Sequence, residues 1–426
     1  MKILVVGNGG REHTLCWKIS ESTKADKIYA LPGNAGTADY AENVSIAVDE
    51  TNQIVDFCIE NEVNLVVVGP ELPLTLGLVD QLEAAGIDAF GPSALAAEIE
   101  GSKDFSKRIM EKYGVPTAKY QSFTNVQRAE AYLSEIGAPC VIKADGLASG
   151  KGVFVCLTIE EAQNALNEIM GEKSFGDAGN RVVIEEYLEG QEVSVLAFTD
   201  GKTYIPMVSA QDHKRIFNED QGLNTGGMGA YSPAPMYTED VEAFVNQYVF
   251  EPVIKGMEKE GRLYKGVLYA GLMLTDKGVK VLEFNARFGD PETQVVLTRL
   301  DSDLIDIMMA VVEERLDTMD ITWKEDAAVC VVMSAAGYPG AYKNGTPIVF
   351  KEPDAEIAHN SFVFHAGTAI VDGQVVTNGG RVLGITATGS TIKKAIDNVY
   401  RRVETVDFAG AHYRTDIGKK ALLYQK

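Results

Sequence analysis

Cysteine is sparse in this chain, and no two cysteines are spaced as a motif. Cys16, Cys58, Cys140, Cys156 and Cys330 sit mostly inside apolar runs, with no C-x-x-C among them. That argues against a disulfide scaffold or a zinc site and predicts reduced, buried thiols in a cytosolic protein. The five histidines show no metal-ligand spacing either. Long hydrophobic runs are missing. The apolar run after Lys2 stops at Gly7, too short for the core of a signal peptide, and no stretch approaches the ~20 apolar residues of a membrane span. A cytoplasmic protein is expected. Positive charge is scarce as well: 39 Lys and Arg face 61 Asp and Glu, a net charge of −22. Such a field repels nucleic acid and anionic membranes at long range, while small anions can still be held by local clusters of cations and amides. Finally, the common nucleotide fingerprints fail. Gly7-Asn8-Gly9-Gly10 has Glu12 where the NAD-binding pattern needs its third glycine. Around Gly150-Lys151, Asp145 stands for the first glycine of a P-loop and Gly152 for its Ser or Thr.

What is present divides the 426 residues into three parts. In residues 1–101, short apolar strands at Ile3–Val6, Lys27–Ala30, Leu65–Val68 and Ala89–Phe90 each end in a glycine turn. These turns are Gly7–Gly10, Pro32–Gly36, Gly69–Glu71 and Gly91–Ser93, with helical stretches between strands. Alternating β and α units of this length predict a parallel, Rossmann-like α/β sheet that does not bind NAD. Its glycine turns are candidate anion sites at the carboxyl ends of the strands.

A change to a charged helix, Ser102 to Tyr113, closed by Gly114, opens a second part, residues 102–325. Its strand Pro139–Lys143 ends in a lysine that burial would penalise unless an anion compensates it. The glycine-rich hairpin Gly146–Gly152 reads as a flap able to close its amides over phosphates. Val182–Ile184 then runs into Glu185-Glu186-Tyr187-Leu188, where a strand leaving its sheet would offer backbone groups to a flat base, and Glu192 would accept from ribose hydroxyls.

The stretch Val281–Gln294, VLEFNARFGDPETQ, reads as a strand running into a turn. Alternation puts Glu283, Asn285 and Arg287 on one face and Phe284 and Ala286 on the other. Two oxygen donors two residues apart suit a hard cation such as Mg²⁺, and the guanidinium suits a carboxylate or phosphate. Pro291 is placed as the first residue of a helix. Residues 326–426 read as strands at Ala328–Met333, Val363–Val371 and Val382–Ala387, a turn at Asp372-Gly373 and a helix from Thr391 to Val403. They show no chemistry of their own and are expected to wall one side of the site.

Lys103, Lys143, the flap, Glu185–Leu188, Glu192 and the Glu283/Asn285 pair come in an order and spacing that resembles the ATP-grasp fold. Within it, Arg287-Phe288-Gly289-Asp290-Pro291-Glu292-Thr293-Gln294 is similar to the signature of the phosphoribosylamine–glycine ligase family, and the likeness spans essentially the whole chain. The resemblance implies an ATP-grasp domain over 102–325, with a mobile lid at about 118–190, followed by a small β-rich carboxyl-terminal domain. It implies ATP-driven joining of glycine to 5-phosphoribosylamine through an acyl phosphate, with formate or bicarbonate ligation as the rival reading. Lys103, Lys143, Ser149, Gly150, Lys151, Gly152, Glu185, Glu186, Tyr187, Leu188 and Glu192 would hold ATP. Glu283 and Asn285 would hold Mg²⁺ or Mn²⁺. Arg287, Asp212 and Lys143 would serve catalysis, with Arg287 on the glycine carboxylate and Asp212 on its ammonium. Gly9, Gly10, Asn34, Glu71, Lys214, Gly226, Gly227 and Asp290 would line the substrate site. One departure stands out: Val267–Leu274, where many ATP-grasp enzymes carry a further metal carboxylate, has no acidic residue. The partners implied are small molecules only, and the chain is expected to be a monomer.

Overall fold

The computed structural model describes residues 1–147 and 152–424. The first sheet comprises β1 (Lys2–Gly7), β2 (Lys27–Pro32), β3 (Glu42–Asn43), β4 (Leu65–Val68) and β5 (Asp88–Phe90), all parallel in the order β3-β2-β1-β4-β5. Residues 3–6 and 65–68 are buried throughout because helices cover both faces. The sequence pattern missed β3, a two-residue exposed edge with no apolar residue to mark it. All four glycine turns lie at the carboxyl end of this sheet, where the loops converge.

Between the helices Ala94–Gly101 and Lys103–Tyr113 the chain turns at Ser102, whose hydroxyl accepts from the Phe105 amide at 3.1 Å. Gly114 ends the second helix at φ +72°, a left-handed position that favours glycine. Four antiparallel strands follow: β6 (Tyr120–Phe123), β7 (Cys140–Ala144), β8 (Val153–Cys156) and β9 (Val182–Glu186), in the order β6-β9-β7-β8. With their two helices they enclose a core of their own around Leu133, Ile142, Ile169 and Ile184.

The chain then runs through β10 (Gln191–Thr199), β11 (Tyr204–Pro206), β12 (Gln211–Asp212), β13 (Arg215–Phe217), β14 (Gln221–Asn224), β15 (Gly229–Ser232), β16 (Gly266–Thr275) and β17 (Gly278–Asn285). The second large sheet has the order β11-β10-β16-β17, so the step from β9 to β10 carries the chain from one sheet to another. Residues 187–190 make that crossing.

In the carboxyl-terminal part, β18 (Ala327–Ser334), β19 (Val349–Phe350), β20 (Ser361–His365), β21 (Thr368–Val371), β22 (Gln374–Thr377) and β23 (Arg381–Gly389) precede the helix Ile392–Val403, capped by Thr391. The single strand expected over Val363–Val371 is two. At Gly367 a Cβ would lie 2.5 Å from the Gly379 Cα, so two backbones touch there and the chain bends. β21 then pairs with β22 around Asp372 (φ +50°) and Gly373 (φ +75°). The sheet of this region, β12-β15-β18-β23-β20, takes two strands from the middle of the chain. Pro291 precedes the helix Glu292–Leu297 instead of opening it, and its φ of −102° belongs to the turn.

Candidate active site

The strand β17 positions the site through a register defect. Gly271 pairs with Glu283 but Leu272 pairs with Val281, which leaves Leu282 as an extra residue. Before the bulge Val279 and Val281 face the core; after it Phe284 and Ala286 do, at 2% and 1% exposure. Glu283, Asn285 and Arg287 consequently line a cleft of about 830 Å³ between the two large sheets and the sheet β6-β9-β7-β8. The bulged Leu282 also turns its carbonyl to the Lys143 ammonium, 3.1 Å away. Among the described residues, the side chains of Glu283 and Asn285 have no hydrogen-bond partner in the protein. Burial would raise the Glu283 carboxyl, yet Lys143, and after it Lys214, Lys103 and Arg287, hold it below the usual carboxylate range. An ionised carboxylate and an amide oxygen, both free and both at the cleft, fit a hard cation that takes its remaining ligands from phosphate and water.

Around this edge three lysines gather. Lys103 begins its helix, an unfavourable place for a cation, and donates to the Gly146 carbonyl at 3.0 Å. Burial lowers it, with Glu283 opposing. Lys143 and Lys107 share Glu185, at 2.8 and 2.9 Å, with all three side chains at most 7% exposed. Burial brings Lys107 down to about 8 against the pull of Glu185, while Glu185 and Glu283 outweigh burial at Lys143 and raise it. Sequence reasoning gave Glu185 to the nucleotide and did not find Lys107, which sits one helical turn after Lys103 and so shares its face.

Beside the lysines, Val141, Val155, Met273 and Leu282 supply apolar walls from both sheets. Glu186 exchanges backbone and side-chain hydrogen bonds with Lys119, each at 2.9 Å. Tyr187 and Leu188, by contrast, make no backbone hydrogen bond among the described residues and open onto the cleft with Glu192. Gly152 lines the same space, whereas Ser149, Gly150 and Lys151 lie outside the described residues.

On the far side, Asp212 and Lys214 pair at 2.9 Å. Burial, aided by Glu292, raises the Asp212 carboxyl to about 7 in spite of Lys214. Lys214, though burial opposes it, is held well above its ordinary range, by Asp212 first. Glu292 is buried and accepts from Ser194 at 3.1 Å and Tyr269 at 3.0 Å. His213 is buried and lowered to about 3 by burial, in keeping with a structural part. Gly227 has φ +116°, and a Cβ there would meet Pro291 at 2.5 Å and Asp212 at 2.7 Å, so the glycine loop is pressed onto both.

Arg287 is already engaged: its Nε meets Glu71 at 3.1 Å and its Nη2 meets Glu100 at 2.8 Å. The amino-terminal turn is likewise spoken for. Glu12 accepts from the Gly9 amide at 2.6 Å, and its carboxylate fills the space that Gly7 and Gly69 leave, since a Cβ at either would come within 2.6 Å of it. The Gly9 amide is thus taken by Glu12, and Gly9 and Gly10 pack closely against Glu12, Asp290 and Gln294. Asn34 spends its amide on the Asn8 and His365 carbonyls and its oxygen on the Gly36 and Thr37 amides, which makes it the brace of its turn.

The carboxyl-terminal part brings a charged side chain to the wall of the cleft. Arg381 donates to the Gly226 carbonyl at 2.8 Å and the Asp290 carbonyl at 2.7 Å, and stands 3.5 Å from the Asp290 carboxylate. With Tyr338 it lines a second cavity of about 280 Å³, bounded by Gly9, Gly33, Gly367 and Asp290.

Family models match three consecutive stretches: the phosphoribosylglycinamide synthetase N domain over 1–100, its ATP-grasp (A) domain over 101–293 and its C domain over 328–420. The phosphoribosylamine–glycine ligase of Synechocystis sp. is 52% identical, with 99% of this chain and all of that one aligned. The chain belongs to the phosphoribosylamine–glycine ligase family. The Thermotoga maritima ligase of that name superposes with a TM-score of 0.86 at 33% identity, over 98% of this chain and 100% of that one. The biotin carboxylase domain of the Hydrogenobacter thermophilus 2-oxoglutarate carboxylase, at 18% identity and a TM-score of 0.77 over 97% and 91%, shares the fold. As a member of the ligase family the chain is an ADP-forming carbon–nitrogen ligase of purine biosynthesis, built on an ATP-grasp fold. No helix among the described residues is long and apolar enough to cross a membrane.

Proposed function

We propose that this chain joins glycine to 5-phosphoribosylamine at the expense of ATP, working as a cytoplasmic monomer with domains at 1–101, 102–325 and 326–426 and a mobile lid over about 118–190. The observation that carries the reading is one strand edge, Glu283-x-Asn285-x-Arg287, facing Lys103 and the buried Lys107 and Lys143 across a cleft. The adenine would lie between Val141 and Met273 with its polar edge on the unpaired backbone of Tyr187 and Leu188, and Glu192 would accept from the ribose. Lys103, Lys143 and the flap, Ser149 to Gly152, would neutralise the phosphates. Glu283 and Asn285 would hold Mg²⁺ or Mn²⁺, which when bound offsets charge on the transferring phosphoryl group.

A carboxylate is a poor electrophile, so the γ-phosphoryl group is first placed on glycine, and the amine of phosphoribosylamine then displaces phosphate. The chain's part is positioning and charge stabilisation, with no protein nucleophile. Arg287, fixed by Glu71 and Glu100, would receive the glycine carboxylate on its remaining N–H groups, and Asp212 would receive the ammonium. The phosphoribosyl group fits the second cavity, where Arg381 and the glycine turns meet. ADP release measured with phosphoribosylamine while the acid is varied tests the whole reading; dependence on formate or bicarbonate in place of glycine would reject it.

Two results are expected of the glycine subsite. Arg287→Lys raises the glycine KM, because a point charge cannot serve Glu71, Glu100 and a substrate carboxylate as a planar fork does. An unaltered KM removes Arg287 from that role. The kcat/KM for glycine falls about tenfold per pH unit as pH drops below about 7, since protonating Asp212 removes the charge that the ammonium needs. Asp212→Asn flattens that limb at a low level. A wild-type profile level from pH 8 to pH 6 would contradict the assignment.

A further inference from the structure

The lid sheet holds two cysteines in a relation that the ligase reaction does not use. Cys140, first in β7, and Cys156, last in β8, are direct partners across the antiparallel pair. The Ala144 amide donates to the Gly152 carbonyl at 2.8 Å in the same register, and hydrogen-bonded pairs recur at every second residue. Cys140 and Cys156 therefore also form a hydrogen-bonded pair, for which the Cα atoms stand about 5.5 Å apart, within the range of a disulfide. Directly opposed residues point to the same face, and both thiols are buried in the lid's own core, at 0% and 1% exposure. The other three cysteines belong to different cores.

We propose that Cys140 and Cys156 are a reversible oxidation site, converted by low-molecular-weight disulfides into a cross-strand bridge that fastens the two strands carrying the flap. Both thiols are reduced here. β8 is the edge strand of its sheet, held on one side only, and Leu157 just beyond it is 62% exposed. Fraying of that end gives a small reagent access without unfolding the lid. The Cys156 thiol donates to the Phe154 carbonyl at 3.6 Å; its nearness draws the Cys140 thiol below its ordinary value while its own is raised, which makes Cys140 the first nucleophile. The Cys140 thiolate attacks one sulfur of the reagent, forming a mixed disulfide and releasing one small thiolate. Cys156 then gives its proton to solvent, attacks the Cys140 sulfur and expels the second. Two protein thiols are oxidised, and one small disulfide is reduced to two thiols.

The test uses the full chain, folded, in graded ratios of oxidised and reduced glutathione, followed by alkylation and peptide mapping. The expected result is a linked Cys140–Cys156 peptide, with Cys16, Cys58 and Cys330 still free, complete reversal by dithiothreitol, and several-fold slower amide exchange across 140–156 in the oxidised form. Cys156→Ser is expected to stop at glutathione on Cys140. The proposal is overturned if the pair stays free in fully oxidised glutathione, if another cysteine reacts first, or if the bridge forms only in denaturant. The wild-type measurement decides the matter even should the variant fail to fold.

Discussion

Glu283→Gln is expected to cut glycine-dependent ADP formation by about 10²-fold or more at saturating substrates. The change keeps the shape of the side chain, so β17 and its bulge should persist, and melting should move little. What it removes is the one charge at that edge which Lys143, Lys214, Lys103 and Arg287 together keep ionised. A cation shared with the phosphates then loses its only anionic protein ligand on this strand, and the neighbouring lysines lose a counter-charge. ADP binding without metal is expected to be kept or strengthened, which separates loss of the metal ligand from loss of the pocket. Unchanged turnover at saturating Mg²⁺ would take Glu283 out of the site.

Glu185→Gln is expected to act on stability first. Glu185 is the shared partner of Lys107 and Lys143, and all three side chains are nearly inaccessible. Removing one member of a buried ion pair costs about 3–5 kcal/mol because an uncompensated charge remains. Here two ammonium groups are left, although Lys107 keeps the Thr117 hydroxyl at 2.8 Å and Lys143 the Leu282 carbonyl at 3.1 Å. The pH dependence follows from the sign of the shift. Burial already holds Lys107 at about 8, below the about 10.4 of an unfolded lysine, and losing Glu185 lowers it further. Between the lowered folded value and about 10.4 the unfolded chain binds more protons, so the stability of the variant rises with pH across that window. The gap to wild type should be widest near neutrality and narrow towards pH 9 to 10. Magnesium and ADP, whose phosphates would replace the missing carboxylate, should raise the variant's melting midpoint more than the wild type's. A loss that is absent, or that does not change with pH, would show that the two lysines do not depend on Glu185.

These residues also mark how far the sequence could be read. The charged helix expected from Ser102 and closed by Gly114, and the alternation over Phe284 and Ala286, are local signals, carried within a few residues; the structure has both, with Ser102 as the cap of the helix instead of its first residue. The β-α alternation of the first hundred residues similarly predicted the parallel sheet. Lys107, Glu100 and Arg381 were not legible, because nothing within several residues of them distinguishes their roles. Glu100 becomes a partner of Arg287 across 187 positions, and Arg381 reaches Gly226 across 155, so only the fold brings them together. Asn34 misled for the opposite reason. A polar residue in a glycine turn looks available until its four hydrogen bonds to backbone are counted. The strand over Val363–Val371 was over-extended because its apolar pattern continues through Gly367, where contact with Gly379 breaks it.

The unpaired Leu282 has a consequence for how this edge could change over time. Inserting or deleting one residue near Lys280 would relocate that irregularity and exchange which side chains meet solvent, turning Phe284 towards the nucleotide and hiding the acid and amide among hydrocarbon. Point substitutions leave the phase of the ribbon alone. Changes of length in this short segment should thus be far less tolerated than changes of composition, even at positions that never touch a ligand.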